Sequence, residues 1–160
     1  MADLLTHVLV VYALGRLAVW RGVLSGPLLP VVLLGAVAPD VMKVTLLLGV
    51  LWGEIGGVRY SAWGYHTVGG VLGVAGIGAL TVRAVDRRSV FGALVAGGLS
   101  HLLLDTLVIR ADGLAPPYLF PFTTWLPPAG NVYLSSDRWP AAVALTAAVA
   151  VWLLTRRDRD

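Results

Sequence analysis

The chain has 160 residues, of which 58% are hydrophobic and 13% charged, and its mean hydropathy is +0.81. This composition is too apolar for a water-soluble domain of this length and indicates an integral membrane protein. The chain contains no cysteine, which excludes disulfides, thiolate metal sites and thiol nucleophiles. The net charge of only +3 gives no reason to expect a nucleic-acid partner.

Apolar stretches divide the chain into five predicted membrane crossings. In chain order they are residues 4–20, 28–38, 66–82, 90–109 and 139–155. Residues 41–52 form a further apolar stretch that contains Lys43 and is too short to span, so we expect an interfacial or re-entrant helix there. The predicted fold is an all-α, polytopic transmembrane helix bundle. The chain length allows one domain, residues 1–160, and no soluble catalytic module.

The arginines predict the orientation of this bundle. Arg21, the turn at residues 83–88 and the segment 156–159 together hold seven of the twelve basic residues. If they are cytoplasmic, in agreement with the positive-inside bias, the N-terminus lies outside. The N-terminal segment lacks the basic n-region of a signal peptide, so we expect the first helix to be retained.

Five ionisable residues lie in or at the ends of the apolar stretches. They are His7, Asp40, His66, His101 and Asp105. An ionisable side chain at membrane depth costs on the order of 3 kcal/mol on insertion scales, so it usually has a partner and a function. The predicted orientation brings all five to the non-cytoplasmic face. Histidine and aspartate are also ligands for zinc and other divalent metals.

The segment from Ser100 to Asp105 is the most specific of these motifs. Asp105 follows His101 by four positions in this segment, which places the imidazole and the carboxylate on the same helix face. The two side chains are then close enough to bind one metal ion. The alternative is that Asp105 only orients a neutral His101 through a hydrogen bond.

The other three candidates also have structural interpretations. His66 precedes Gly69 and Gly73, whose spacing predicts a close-packing face between helices, and the histidine alone is compatible with a membrane-interface position. Asp40 follows a proline and is equally compatible with a helix cap. Lys43 follows Asp40 by three residues and can neutralise it by pairing.

The loop at residues 110–138 is rich in proline and aromatic residues. We expect it to form a packed lid over the outer end of the bundle, since long loops in compact domains are more often functional or disordered than neutral. The alternative is a mobile tether. Its Tyr and Trp side chains are most simply membrane-interface anchors.

Several of these segments together resemble a known family. They are Thr6-His7, Ala38-Pro39-Asp40, Tyr65-His66-Thr67, the segment from Gly98 to Asp105, and Leu119-Phe120-Pro121-Phe122. Their order and rough spacing resemble the membrane-bound, metal-dependent hydrolases of the YdjM-like group over about residues 4 to 125. That group is distantly similar to zinc-dependent phospholipase C and P1-type nucleases, all-helical enzymes with His and Asp ligands. The resemblance implies a phosphoester hydrolase that acts at the membrane.

This chain departs from the family pattern at two positions. The family usually has an aspartate where this chain has Met42 and a histidine where it has Ser61. If both missing groups are metal ligands, this protein holds fewer ions than its relatives or has lost catalysis.

The residues predict a membrane-bound metal site, and the resemblance implies that the protein is a metal-dependent hydrolase. His7, Asp40, His66, His101 and Asp105 are the expected ligands of a divalent metal, with zinc the first choice. Asp40 is the candidate catalytic base, and a lipid headgroup or a lipid-linked phosphate is the expected substrate class. Two alternatives remain: a non-catalytic membrane module that binds or carries a divalent cation or protons, and a degenerate relative that serves as a partner subunit.

Overall fold

The computed structural model describes residues 4–49, 52–55 and 57–157, and these residues are mostly helical. The described part of the chain contains six α-helices. They are α1 (Leu4–Trp20), α2 (Leu29–Val37), α3 (Val41–Leu47), α4 (Val68–Leu80), α5 (Arg87–Thr106) and α6 (Trp139–Arg157). α5 packs against both α2 and α4, and α1 packs against both α2 and α6.

Three helical runs are long and apolar enough to cross a membrane, namely Gly26–Thr45, Arg87–Thr106 and Trp139–Arg156. α1 and α4 are apolar but shorter, with 17 and 13 residues. At 1.5 Å per residue α4 is only about 20 Å long, less than the ~30 Å hydrocarbon core of a bilayer. The five predicted crossings are therefore not confirmed, whereas the helical fold is.

The helical backbone continues through Pro39 and Asp40, where the sequence predicted the end of a crossing. Short 3₁₀ turns at Gly26–Leu28 and Ala38–Asp40 flank α2, and α3 follows the second turn directly. Pro39 lies at the start of this turn, where a missing N–H disturbs the helix least. The predicted interfacial helix at residues 41–52 is instead the seven-residue α3, which continues the preceding helical run.

A small β-hairpin, which was not among the predicted elements, follows α3. It pairs β1 (Trp52–Ile55) with β2 (Val58–Ser61) in antiparallel register, with Trp52 opposite Ser61. Gly57 in the connection has φ +81°, a conformation that favours glycine. The Gly-Gly pair between the two strands is the sequence feature that predicts such a turn.

Glycines allow α2 and α5 to approach each other closely. A Cβ at Gly97 would collide with the Val32 carbonyl and the Ala36 nitrogen, and one at Gly35 would collide with the backbone of Leu94. The predicted helix-packing face at Gly69 and Gly73 does not form a close contact between helices. Gly69 contacts the proline-rich loop rather than a helix, and a Cβ at Gly73 would meet no atom within 4 Å.

The loop between α5 and α6 packs on the same end of the bundle as the N-terminus of α4. The amide of Val68 donates to the Tyr118 carbonyl at 2.7 Å, and the amide of Gly69 donates to the Phe120 carbonyl at 2.9 Å. Tyr118 also packs with Leu102 of α5 in a buried cluster. These contacts describe a docked segment, which is the arrangement that the lid hypothesis requires.

Candidate metal centre

The structure brings all five predicted site residues together at one end of the bundle. His7 comes from the first turns of α1, Asp40 from the 3₁₀ turn after α2, and His66 from the 3₁₀ helix Ala62–His66, while His101 and Asp105 come from α5. Each of these residues is between 0 and 6% exposed. Five buried ionisable side chains in contact require strong mutual compensation or a bound cation.

Asp105 contacts two of the histidines through different oxygens. Its Oδ2 lies 2.7 Å from His66 Nε2, which is a hydrogen-bond distance. Its Oδ1 lies 3.3 Å from His7 Nε2. The carboxylate therefore lies between imidazoles from two other elements, and it is fully buried.

The orientation of His101 is set by the backbone of α2. His101 Nδ1 lies 2.6 Å from the Ala36 carbonyl oxygen, and because a carbonyl only accepts, Nδ1 carries the proton. In the neutral ring Nε2 is then a lone pair. It faces Asp40 Oδ1 at 3.6 Å and Asp105 Oδ2 at 3.7 Å, distances too long for hydrogen bonds. The alternative that Asp105 orients His101 by a hydrogen bond is therefore wrong.

Several buried atoms in this cluster have no hydrogen-bond partner within the described residues. They are both ring nitrogens of His7, Nε2 of His101 and Oδ1 of Asp40. The rings of His7 and His101 are also stacked nearly parallel, 3.8 Å apart, an arrangement that two positively charged imidazoliums would disfavour. Neutral imidazole lone pairs that converge with carboxylate oxygens are complementary to a metal cation.

Two overlapping groups of side chains have the geometry to hold such an ion. One is His7, His101 and Asp105, and the other is Asp40, His66 and His101. Within each group one ligand atom per residue lies within 4.8 Å of the others. The donors are nitrogens and carboxylate oxygens, which suit zinc and similar divalent metals. The residues present therefore fit a divalent metal ion.

The local sequence explains how Asp40 and the backbone acceptors are placed. Pro39 has no N–H, and the 3₁₀ turn interrupts the regular hydrogen-bond ladder at the end of α2. The carbonyl oxygens of Ala36 and Pro39 are approached by ring nitrogens of His101 and His66, at 2.6 and 3.4 Å. A metal-binding histidine commonly donates its second ring N–H to a backbone carbonyl, which fixes the orientation of the ring.

Capping residues fix His66 on the opposite side of the cluster. The Ser61 hydroxyl accepts from the Trp63 amide at the start of the 3₁₀ helix. The Thr67 hydroxyl donates to the Gly64 carbonyl and accepts from the Gly70 amide at the start of α4. His66 thus lies between two capped helical segments.

Asp40 also has the partner that the sequence predicted. Lys43 Nζ lies 2.5 Å from Asp40 Oδ2, and the lysine side chain is 38% exposed while that of Asp40 is 5% exposed. Oδ1 of the same carboxylate points into the histidine cluster. Asp40 therefore lies between the buried cluster and an ammonium at its edge.

Two loop tyrosines, which were not among the predicted site residues, support the centre. Tyr118 lies with its ring centroid 5.7 Å from that of His66, and Tyr133 donates to the Leu104 carbonyl at 2.9 Å. Both are buried, so their assignment as membrane-interface anchors is wrong. An irregular loop has no helical or strand periodicity from which burial can be predicted. The position of the two tyrosines in the proline-rich loop was the feature of the sequence that indicated packing.

Burial keeps these two hydroxyls protonated. It raises the pKa of Tyr133 to about 12, and the Asp105 charge adds to that shift. Burial, followed by the Asp105 charge, also raises the pKa of Tyr118 above its ordinary value, and Arg110 partly offsets the effect. The Arg110 guanidinium donates to the Tyr118 hydroxyl at 3.3 Å. Both tyrosines are therefore neutral near the Asp105 carboxylate.

A cavity of about 530 Å³ reaches the cluster at His66. Its walls come from the hairpin, the following 3₁₀ helix and the proline-rich loop. The lining residues are Trp52, Ser61, Trp63, Gly64, His66, Thr67, Pro116, Pro117 and Phe120. Most of this surface is aromatic or proline, with the histidine as its ionisable group, which is the composition of a binding site for an apolar ligand with one polar end.

Comparisons of this chain with protein-family models, curated proteins and solved structures give no match.

Proposed function

We propose that this protein is a membrane-bound, metal-dependent hydrolase of a phosphoester with an apolar anchor. The observation that carries the proposal is the set of buried atoms around His101. Its Nε2 and Asp40 Oδ1 lie 3.6 Å apart and have no hydrogen-bond partner within the described residues, and Asp105 Oδ2, which is bonded to His66, lies 3.7 Å from the same nitrogen. Such an arrangement is costly as it stands and becomes favourable around a cation.

The proposed location is the cell membrane, with the centre near the non-cytoplasmic face. Three helical runs have the length and hydropathy of membrane spans. The arginine-rich turn that precedes α5 lies at the opposite end of that helix from His101 and Asp105. The positive-inside bias therefore favours a non-cytoplasmic site.

His7, His66, His101 and Asp105 are the proposed metal ligands, and Asp40 is either a further ligand or the general base. A divalent ion, with zinc the first choice, would supply Lewis-acid activation of a water and of a phosphoryl oxygen. The chain's own residues orient the donors. The Ala36 carbonyl fixes the His101 tautomer, and the buried Asp105 carboxylate lies between His7 and His66 and contacts a ring nitrogen of each.

The apolar cavity beside His66 supports a lipid-like substrate. A phosphoester at His66 would extend its apolar portion between Trp63 and Phe120, where burial of each CH₂ contributes about 0.8 kcal/mol. A lipid headgroup or a lipid-linked phosphate has this chemistry, and a nucleic acid does not. The bilayer itself supplies such molecules at the level of the proposed centre.

Membership of the YdjM-like group remains part of this proposal. Both residues that depart from the family pattern have other roles in this structure. Met42 is 2% exposed in α3, and Ser61 caps the 3₁₀ helix that carries His66 while lining the cavity. The five ionisable residues that match the pattern, in contrast, all lie in the cluster.

Metal analysis of the purified protein tests the centre directly. We expect zinc to co-purify with the wild-type chain and to be lost from Asp105→Ala. Asp112→Ala is the matched control, because Asp112 is an exposed carboxylate whose Oδ1 accepts from the nearby Leu114 amide. Equal metal content in all three proteins would place the ion elsewhere, and none in the wild type would remove the metal from the proposal.

Activity is tested on two phosphoesters that share a headgroup, one with a long alkyl chain and one without. We expect zinc-dependent cleavage that favours the long chain and is abolished in His101→Ala. An unchanged rate in His101→Ala would show that the site is wrong. If only the variant Met42→Asp, Ser61→His is active, the chain is a degenerate relative of active hydrolases.

A second candidate is a non-catalytic membrane module that binds or carries a divalent cation. The observation in its favour is that His7, His101 and Asp105 are all 0% exposed, since closed sites are typical of structural metals. The two functions separate when the zinc-loaded wild type is assayed. Tight zinc binding without hydrolysis of either phosphoester favours the binding module.

A further inference from the structure

We propose that Lys43 is the permanent second cation of the centre, which therefore holds one divalent ion and uses the Lys43 ammonium to bind the anionic substrate group. This inference rests on the proposed metal centre and concerns its stoichiometry and substrate binding. The argument begins with Asp40. One oxygen of this carboxylate faces His101 Nε2 at 3.6 Å, and the other contacts Lys43 Nζ at 2.5 Å.

In a two-metal phosphoesterase, two cations a few ångströms apart flank the reacting phosphoryl group. Asp40 also lies between two cationic positions, because the candidate metal position is on its Oδ1 side and the Lys43 ammonium is on its Oδ2 side. A lysine is covalently attached to the chain and carries three N–H donors. It therefore supplies a fixed positive charge where a second metal ion would otherwise require further ligands.

The ligand inventory also favours a single ion. Both candidate groups include His101, and its Nδ1 is already bonded to the Ala36 carbonyl. The remaining nitrogen has one lone pair and can bind one ion at a time. The two candidate groups therefore cannot each hold an ion through His101 at the same time.

The charges of the centre lead to the same conclusion. With neutral imidazoles, Asp40, Asp105 and Lys43 together carry one net negative charge. One divalent ion reverses this to one positive charge, which complements an anionic phosphoester. A second divalent ion would leave three positive charges in a largely buried cluster, which is strongly unfavourable at low dielectric.

The exposure of Lys43 places it at the edge of the centre. Its side chain is 38% exposed, whereas the other five residues of the centre are at most 6% exposed as whole residues. An incoming phosphate can therefore reach the ammonium without unpacking the bundle. Charge-assisted hydrogen bonds of this kind are the strong ones in anion recognition.

The test measures zinc affinity and inorganic phosphate affinity in the full chain, purified in detergent. The variant Lys43→Gln keeps most of the side chain and removes the charge. We expect one zinc per wild-type chain. In Lys43→Gln we expect zinc to bind about tenfold more tightly, because a repelling charge is lost, and phosphate to bind the one-zinc form about tenfold more weakly.

Two controls make this pair of opposite changes specific. Lys43→Arg keeps the charge and should change zinc affinity less than threefold. Arg16→Gln removes the charge of a side chain that donates to the Thr155 hydroxyl. Arg16 lies about 13 Å from His7 along α1. This variant should change neither affinity. Circular dichroism of each variant checks that the helices are retained.

The contrary outcomes are distinct. Two zinc ions per wild-type chain, weaker zinc binding in Lys43→Gln, or unchanged phosphate binding in that variant would each overturn the role of Lys43, and the proposed function would stand. No zinc in any of the proteins would overturn the metal centre, and this inference with it.

Discussion

Helices α5 and α6 are nearly equal in length, with 20 and 19 residues, and both are apolar enough to span a membrane. Their surroundings differ. In the apolar window of α5, 33% of residues are buried, against 17% in that of α6. α5 packs against α2 and α4, while α6 packs mainly on α1. Hydropathy therefore identifies both as membrane-length helices but does not distinguish the one that organises the centre.

The polar residues of the two helices make the distinction. In α5, His101 and Asp105 are bonded to groups of other elements, including the Ala36 carbonyl and His66. In α6, the Thr146 hydroxyl donates to a carbonyl of its own helix, and Thr155 receives Arg16 of α1. Polar groups that need partners from several elements hold a bundle in one arrangement, and the cluster on α5 contacts α1, α2 and the segment before α4, whereas the Thr155 contact joins α6 to α1.

The largest expected difference between the helices concerns leucine packing. Leu102 in α5 is 3% exposed and packs with Val71, Ala115 and Tyr118, while Leu153 in α6 is 50% exposed. Leu102→Ala should lower the free energy of unfolding by about 2–5 kcal/mol through the cavity it leaves. Leu153→Ala should cost less than about 1 kcal/mol. Thermal unfolding in detergent measures both, and equal losses would refute the assignment of α5 as the central helix.

The next expected effect compares two glycines of α5 itself. A Cβ at Gly97 would meet the backbone of α2, whereas one at Gly92 would meet no atom within 4 Å. Gly97→Ala should cost about 1–3 kcal/mol by overpacking and should lengthen the contact between His101 and the Ala36 carbonyl. Gly92→Ala should stabilise the helix by about 0.5–1 kcal/mol. Zinc affinity should fall only in Gly97→Ala, and a tolerated Gly97→Ala would contradict the close approach.

The sequence predicted the helices more accurately than their relation to the membrane. Apolar length and the four-residue spacing of His101 and Asp105 are local features, so α1 and α5 were placed to within a few residues. Whether a helical run continues through Pro39 depends on a 3₁₀ turn that accommodates the proline, and this is a property of the packed chain. The hairpin at Trp52–Ser61 was missed because its strands are only four residues long.

The site was partly predictable for a related reason. Ionisable residues are rare in apolar stretches, so His7, His66 and Asp40 stood out without any structure. The support of the centre did not stand out. The Ala36 carbonyl is a backbone group, and Tyr118 lies in an irregular loop where no periodicity indicates burial. Their roles follow from the packing of α2 on α5 and of the loop on α4.

The smallest expected effects come from two single hydrogen bonds, one at each helix. Tyr133 donates to the Leu104 carbonyl of α5, and Arg16 donates to the Thr155 hydroxyl of α6, both at 2.9 Å. Tyr133→Phe and Thr155→Val should each cost about 0.5–1.5 kcal/mol of unfolding free energy.

The two variants should nevertheless differ in the rate of zinc dissociation. Leu104 precedes Asp105, and Tyr133 anchors the loop that carries Tyr118, so loosening this contact should speed zinc release severalfold. Thr155 lies at the other end of the bundle, and its loss should leave the zinc dissociation rate unchanged. A chelator-competition experiment measures both rates, and equal rates in the two variants would show that the docked loop does not control access to the centre.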